Sequence, residues 1–300
     1  MKKLPPITKT LTITYSPHFL EWLNRYQISL AFTSQTNCLC LIGVKPDGQV
    51  SVPVWEFDRP RKLYAKSDRL YLSTQYQIWR LENVLENEEL LEDKYDRFYI
   101  PRMAYTTGEL NVQDLVEDNK GDIIFINTQY SCLATLHPKH SFTPLWKPPF
   151  ISQLAPEDRC HLNGLATVEG QPRYVTAISC SDVACGWQSL RSNGGVVINI
   201  QTNEIIVEGL SVPHSPRWYR GKLWLLNSGT GDFGYIENGK FLPVTFCPGY
   251  GRSLNFIGDF AVVGLSKLRV DYSSDLLVVE RFKNWKTDVR YLLINQRQSK

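Results

Sequence analysis

Short runs of alternating apolar and polar residues, cut by turn residues, fill most of this chain, and a period of two is the mark of a strand with one buried face. Residues 10–15, Thr-Leu-Thr-Ile-Thr-Tyr, open with that pattern. Residues 18–26 interrupt it. There Phe19, Trp22 and Leu23 recur at helical spacing behind Ser16 and Pro17, which predicts one short helix with a capping serine and a first-turn proline. From residue 29 a hairpin outline repeats. Its clearest copy places strands at residues 217–219 and 223–226 around the turn Arg220-Gly221-Lys222. A polar His214-Ser215-Pro216 cluster leads in, and Asn227-Ser228-Gly229 leads out.

Taking Leu30, Leu63, Leu115, Leu165, Trp218 and Leu254 as equivalent gives six copies. Strand-built repeats of roughly 40–50 residues point to a β-propeller. A blade needs four strands, and second hairpins are present. Residues 38–44 and 49–54 flank Pro46-Asp47-Gly48, residues 196–200 and 204–207 flank Gln201-Thr202-Asn203, and residues 235–236 and 241–246 flank Asn238-Gly239. The third copy turns at residues 137–140. The second carries an acidic insertion, residues 81–96, whose Val84, Leu85, Leu90 and Leu91 suit a helical excursion but read better as a solvated loop.

The fold expected is therefore all-β, a six-bladed β-propeller with one short N-terminal helix. Residues 1–28 hold an N-terminal strand and the helix, residues 29–267 the blades, and residues 268–300 a divergent C-terminal segment. Residues 10–15 are expected to close the ring by pairing in the last blade, because an unlocked ring exposes strand edges. After Ser266-Lys267 the pattern breaks, so the last blade is incomplete unless residues 276–279 and 289–294 supply its strands.

Composition narrows the function classes. With 43% apolar and 12% aromatic residues the chain can bury a full core rich in strand formers. A net charge of +3 makes no case for nucleic acid or an anionic membrane as partner. Met1-Lys2-Lys3 runs into Leu4-Pro5-Pro6, where a signal peptide needs an apolar stretch, and no window reaches the ~20 apolar residues of a membrane span. Seven scattered cysteines suit a reducing compartment, so a cytoplasmic location is expected.

The run Pro213-His214-Ser215-Pro216-Arg217-Trp218-Tyr219-Arg220-Gly221 ahead of Leu223-Trp224 is not a generic blade signature. With residues 26–44, 76–84, 161–166, 194–196 and 248–267 it resembles a conserved-hypothetical bacterial β-propeller family, frequent in cyanobacteria. The resemblance covers residues 10–267 and implies a propeller and no known reaction. Past Lys267 the chain departs from the family's pattern.

Candidate chemistry lies where the loops entering the innermost strands converge on a central mouth. Those loops hold Arg61, Asp114, His161, Asn163, His214, Arg217 and Arg252. Such groups could simply satisfy one another and the loop backbones. They could also grip a small anionic ligand, or a peptide or protein partner, through planar arginine forks. The alternative is a hydrolase or lyase with His161 and His214 as acid and base, with or without a metal. Only Asp114 offers a carboxylate in a mouth position, so neither a metal nor a cofactor is expected. Cys38 and Cys40 face one side of a strand and read as small core residues, and Cys180 and Cys185 flank a loop with no second pair at finger spacing. Nucleophile elbows and phosphate loops are absent, since Gly229-Thr230-Gly231 opens no helix.

Overall fold

Glycine- and asparagine-bearing turns cut the chain into antiparallel hairpins, and these assemble into six separate sheets. In the computed structural model, which describes residues 14–34, 36–266, 276–282 and 290–295, the protein is an all-β six-bladed β-propeller with one short N-terminal helix. Residues 10–13 lie outside the described residues, and with them most of the expected closing strand; Thr14 and Tyr15 are not in a strand. The chain falls into two units, Met1–Glu109 and Leu110–Lys300.

In the first unit, helix α1 (Phe19–Tyr26) turns Trp22 and Leu23 inward. Its N-cap position is His18, which makes no side-chain cap bond, so Ser16 is not the cap and Pro17 precedes the helix instead of standing in its first turn. The Ser16 carbonyl accepts the Phe19 N–H. Gln27 leaves the helix in the left-handed conformation at φ 50°, and the Gln27 and Ile28 N–H groups bond back to Asn24 and Leu23. Strand β2 (Cys38–Val44) centres one sheet, pairing β1 (Leu30–Ser34), β3 (Val50–Ser51) and β4 (Val54–Glu56). The second sheet runs in sequence order through β5 (Leu63–Ala65), β6 (Arg69–Ser73), β7 (Gln77–Asn83) and β8 (Tyr99–Thr106). Leu39, Leu70, Leu72 and Leu81 form one core cluster, with Trp55 and Trp79 packed on it. The acidic insertion holds no helix. Residues 84–98 form a loop with a single bridge from Leu91 to Tyr95, and Val84 and Leu90 lie exposed.

The second unit holds four sheets. Their strands are β9 (Val112–Glu117), β10 (Ile123–Asn127), β11 (Cys132–Thr135) and β12 (Thr143–Trp146), then β13 (Leu162–Val168), β14 (Gln171–Ala177), β15 (Gly195–Asn199) and β16 (Glu204–Leu210). The third sheet has β17 (Pro213–Tyr219), β18 (Lys222–Asn227), β19 (Asp232–Glu237) and β20 (Lys240–Phe246). The fourth has three strands among the described residues, β21 (Tyr250–Ile257), β22 (Phe260–Ser266) and β23 (Arg290–Asn295). Apolar faces pack sheet to sheet: Ala166, Val197 and Val207 meet Leu223 and Leu225, and Trp224, Leu226 and Phe233 meet Leu254, Ala261 and Val263. First strands β9, β13, β17 and β21 are successive neighbours.

Hydroxyls at the ends of second strands tie adjacent sheets. Thr128 donates to the Leu162 carbonyl at 2.6 Å, and Ser228 donates to the Gly251 carbonyl at 2.9 Å. Where the pattern suggests a strand at residues 276–279, the structure has a helix, α2 (Leu277–Phe282). Two valines make it a poor helix by propensity. It is held by tertiary contacts instead: Leu276 and Val278 bury against Ile178 and Val212, the Val278 N–H bonds to the Gly229 carbonyl, and Arg281 pairs with Asp232 at 2.8 Å.

Candidate functional site

The first strands of the second unit begin earlier than the alternation predicts. β9 starts at Val112, ahead of the repeat position Leu115, β13 at Leu162, ahead of Leu165, β17 at Pro213 rather than Arg217, and β21 at Tyr250, ahead of Leu254. In each case the ladder shifts register: opposite Phe125–Asn127, between Leu162 and Gly164, between His214 and Arg217, and between Gly251 and Ser253. A bulge inserts a residue and breaks the two-residue period, so a pattern reading stops there. Asp114, Asn163, His214, Arg217 and Arg252 consequently sit inside strands, at or beside the bulges, and not in connecting loops. The residue ahead of three of these strands is left-handed: Asn111 (φ 52°), His161 (φ 52°) and Val212 (φ 47°).

Asp114 is buried, and its two oxygens collect the N–H groups of Leu115 and Leu165, both at 3.1 Å. Arg217 closes on the same carboxylate, Nη1 at 2.9 Å and Nη2 at 3.3 Å, and Nη1 also donates to the Leu165 and Pro216 carbonyls. Three neighbouring first strands are thereby stapled by one ion pair. Asn163 is buried on the same strand as Leu165 but takes no part in that pair: its Oδ1 accepts from Thr176 Oγ1 at 2.7 Å, and its Nδ2 has no acceptor among the described residues. Arg61 belongs to the first unit, where its N–H donates to Ser73 and its carbonyl accepts from Thr33 Oγ1.

The remaining candidates gather on aromatic rings at the strand-start end of the second unit. His214 is buried, donates Nδ1–H to the Val212 carbonyl at 3.0 Å, and stands edge-on to Tyr250, ring centres 5.7 Å apart. The Arg252 guanidinium lies 4.2 Å from the centre of the same ring, with its Nε on Ser266 Oγ at 3.1 Å. Burial raises the pKa of the Tyr250 hydroxyl, and the charges of Arg252 and Arg191 oppose that rise. Tyr250 and Trp187 both pack against the buried Ile178, Val212, Leu276 and Val278.

Trp187 in turn carries His161, ring centres 4.2 Å apart, and His161 Nδ1 lies 2.8 Å from Asp158. The Trp187 Nε1 is buried without an acceptor among the described residues. Its loop is anchored by Arg159, which binds Asp182 at 2.7 Å and Glu157 at 2.8 Å. Hydrogen bonds from Ser152 and then Arg159 hold the Asp182 carboxyl down at about 2.

Asp114 and Arg217 thus meet directly, His214 and Arg252 share Tyr250, and His161 reaches the same apolar floor through Trp187. Tyr250, Trp187, Arg191 and Asp158 were not singled out by the sequence. Tyr250 was within reach, since it stands inside Pro248-Gly249-Tyr250-Gly251-Arg252. Trp187 and Arg191 come from an aperiodic loop around a 3-10 turn, Gly186–Leu190, and no pattern marks them. Among the described residues no three His, Cys, Asp or Glu side chains gather as a metal site. Burial pushes the Cys132, Cys160 and Cys247 thiols up to about 12, and only Cys180 and Cys185 are exposed.

Comparison with known proteins agrees with this architecture. The family model described as a domain of unknown function, DUF4915, matches residues 17–299, well past Lys267 where the segment-by-segment resemblance ends. No curated protein matches the chain. Among solved structures, a nidogen/laminin complex chain aligns at TM-score 0.53 and 12% identity, over 79% of this chain and 85% of that one. A luciferin-regenerating enzyme aligns at 0.49 and 14%, over 82% of each chain. Virginiamycin B lyase from Staphylococcus aureus aligns at 0.46 and 11%, over 79% and 73%. At 12% identity the first of these likenesses is one of fold alone.

Proposed function

The chain belongs to the DUF4915 family, and on that premise we propose that it is a binding propeller for a small anionic ligand. The ligand sits at the strand-start end of the second unit, on His214, Arg252 and Arg191, with His161 at its margin. One observation carries this reading. At the bulged start of β21 the Arg252 guanidinium lies 4.2 Å from the centre of the Tyr250 ring, with the buried His214 edge-on to the same ring, and the positive charge of Arg191 acts on the Tyr250 hydroxyl. A guanidinium held over an aromatic ring, as Arg252 is over Tyr250, is suited to a carboxylate or phosphate, including the carboxylate end of a peptide. Asp114 and Arg217 serve as the frame beneath, since each already satisfies the other.

Titration calorimetry against a panel of carboxylates and phosphates tests it. A charge-assisted contact contributes roughly 1.5–3 kcal/mol, so Arg252→Ala is expected to weaken the best ligand about tenfold or more while thermal unfolding stays near wild type. A protein that binds none of the panel, or an Arg252→Ala variant of unchanged affinity, overturns the reading.

The Asp158–His161 contact favours a second reading, a hydrolase or lyase, because a carboxylate on Nδ1 orients an imidazole for proton transfer through Nε2. In that case ester or lactone turnover is lost in His161→Ala, and Asp158→Asn shifts its pH profile. Turnover that survives both changes rules it out.

A further inference from the structure

We propose that the acidic loop between β7 and β8 is a docking surface for another protein, whose docking segment is basic with apolar side chains interleaved. The proposal stands on the first unit alone and is independent of the anion reading. Residues 200–203 are enough to join β15 to β16, and residues 238–239 to join β19 to β20, whereas β7 reaches β8 through residues 84–98. Hairpin loops of that length are uncommon and, where they are held in one shape, functional. This one is held. Asn83 accepts the Phe98 N–H at 2.8 Å through Oδ1 and donates Nδ2 to the Leu85 carbonyl at 3.2 Å. The Val84 N–H bonds to the Phe98 carbonyl at 3.0 Å, and further out the Leu91 N–H bonds to the Tyr95 carbonyl at 2.9 Å.

What these bonds fix in place is open to solvent. Val84, Leu90, Phe98 and Met103 are 37–47% exposed. Val84 and Phe98 are partners across the neck of the loop, and Met103 lies beyond them on β8, opposite Arg80. Single exposed apolar side chains need no partner, but four on one hairpin and its loop, set among polar groups, mark an interaction surface. The polar groups are mostly acidic. Residues 84–98 carry six carboxylates against Lys94 and Arg97, in a chain whose net charge is +3. Among the described residues one of the six is in an ion pair, Asp96 with Arg97 at 3.6 Å. That sign selects the occupant: lysine or arginine to meet the carboxylates, with apolar side chains between them to cover the four. Pro101 and the register shift beside it blunt the β8 edge as a template for a further strand, so the contact is one of side chains. A second copy is a poorer fit. It would have to meet this loop with a different face of itself, and such head-to-tail contacts run into rings or open chains.

Fluorescence anisotropy with a labelled peptide of alternating lysine and leucine tests it, beside two counterparts in which serine replaces leucine or glutamate replaces lysine. Wild-type protein is expected to bind the lysine–leucine peptide about tenfold more tightly than either counterpart, with affinity falling as salt is raised. The double variant Glu88→Lys/Glu92→Lys is expected to weaken it about tenfold, and Leu90→Ser to weaken it several-fold, with thermal unfolding near wild type because all three side chains are exposed. Glu204→Lys, an exposed carboxylate on β16, serves as the control and should leave affinity within about twofold. A serine counterpart that binds as tightly as the leucine peptide reduces the contact to bulk charge and overturns the proposal. So does absence of binding, or an affinity that Glu88→Lys/Glu92→Lys and Leu90→Ser leave unchanged. Self-association in sedimentation, abolished by Glu88→Lys/Glu92→Lys, overturns the choice of occupant and assigns the loop to a second copy.

Discussion

Asp114 and Arg217 show how a residue's role turns on what its neighbours already supply. Arginine on a polar strand start invites a ligand reading, yet this guanidinium is occupied by a buried carboxylate and two carbonyls. Removing one partner of a buried pair strands the other charge, at a cost of about 3–5 kcal/mol. Arg217 is partly exposed, so Arg217→Ala is expected near the lower end, about 3 kcal/mol, in urea unfolding. Arg217→Lys should recover only part of it, because an ammonium cannot reproduce the two-pronged contact to Asp114. Unfolding midpoints equal to wild type in both variants would show that the staple contributes nothing. The pairing itself could not be read from the chain: residues 114 and 217 belong to different sheets, and only the packing of β9, β13 and β17 brings them together.

At the scale of elements, alternation located the hairpins but misjudged their starts. The polar runs ahead of Leu115, Leu165 and Leu254, and around Arg217, look like loops because bulges interrupt the period, yet each is strand. Residues 276–279 fail in the opposite sense. Val278 and Val279 favour a strand, yet residues 277–279 are helical, held by contacts to Gly229, Ile178 and Val212. The recurrent hydroxyl at the end of the second strand is the element-level tie. Thr128→Val and Ser228→Ala each leave a buried carbonyl without its donor, which costs about 1–3 kcal/mol. Their effects should add in a double variant, since they join different pairs of sheets. Thermal unfolding of the three proteins checks it, and a double variant no worse than either single one would contradict independent ties.

At the scale of the whole molecule, the last sheet depends on a strand from the C-terminal part of the chain. β23 covers the edge of β22 from Leu265 to Phe260, and without it that strand offers free N–H and C=O groups to other chains. A chain ending at residue 282 is expected to aggregate at concentrations where the full chain stays dispersed, as read by light scattering. A truncated protein that remains monomeric would mean that another element protects β22.

The sequence by itself determined the all-β class, the six repeats and most hairpins, because alternation and turn chemistry are local and each copy restates them. It also singled out Asp114, Asn163, His161, His214, Arg217 and Arg252 as the polar residues near strand starts. Only the tertiary structure decided what each of them touches. It committed Arg217 to Asp114, set His214 and Arg252 on Tyr250, and brought Trp187, Val212 and α2 to one floor. Those outcomes depend on contacts between residues tens of positions apart, and a period of two carries no information about which sheets will face each other.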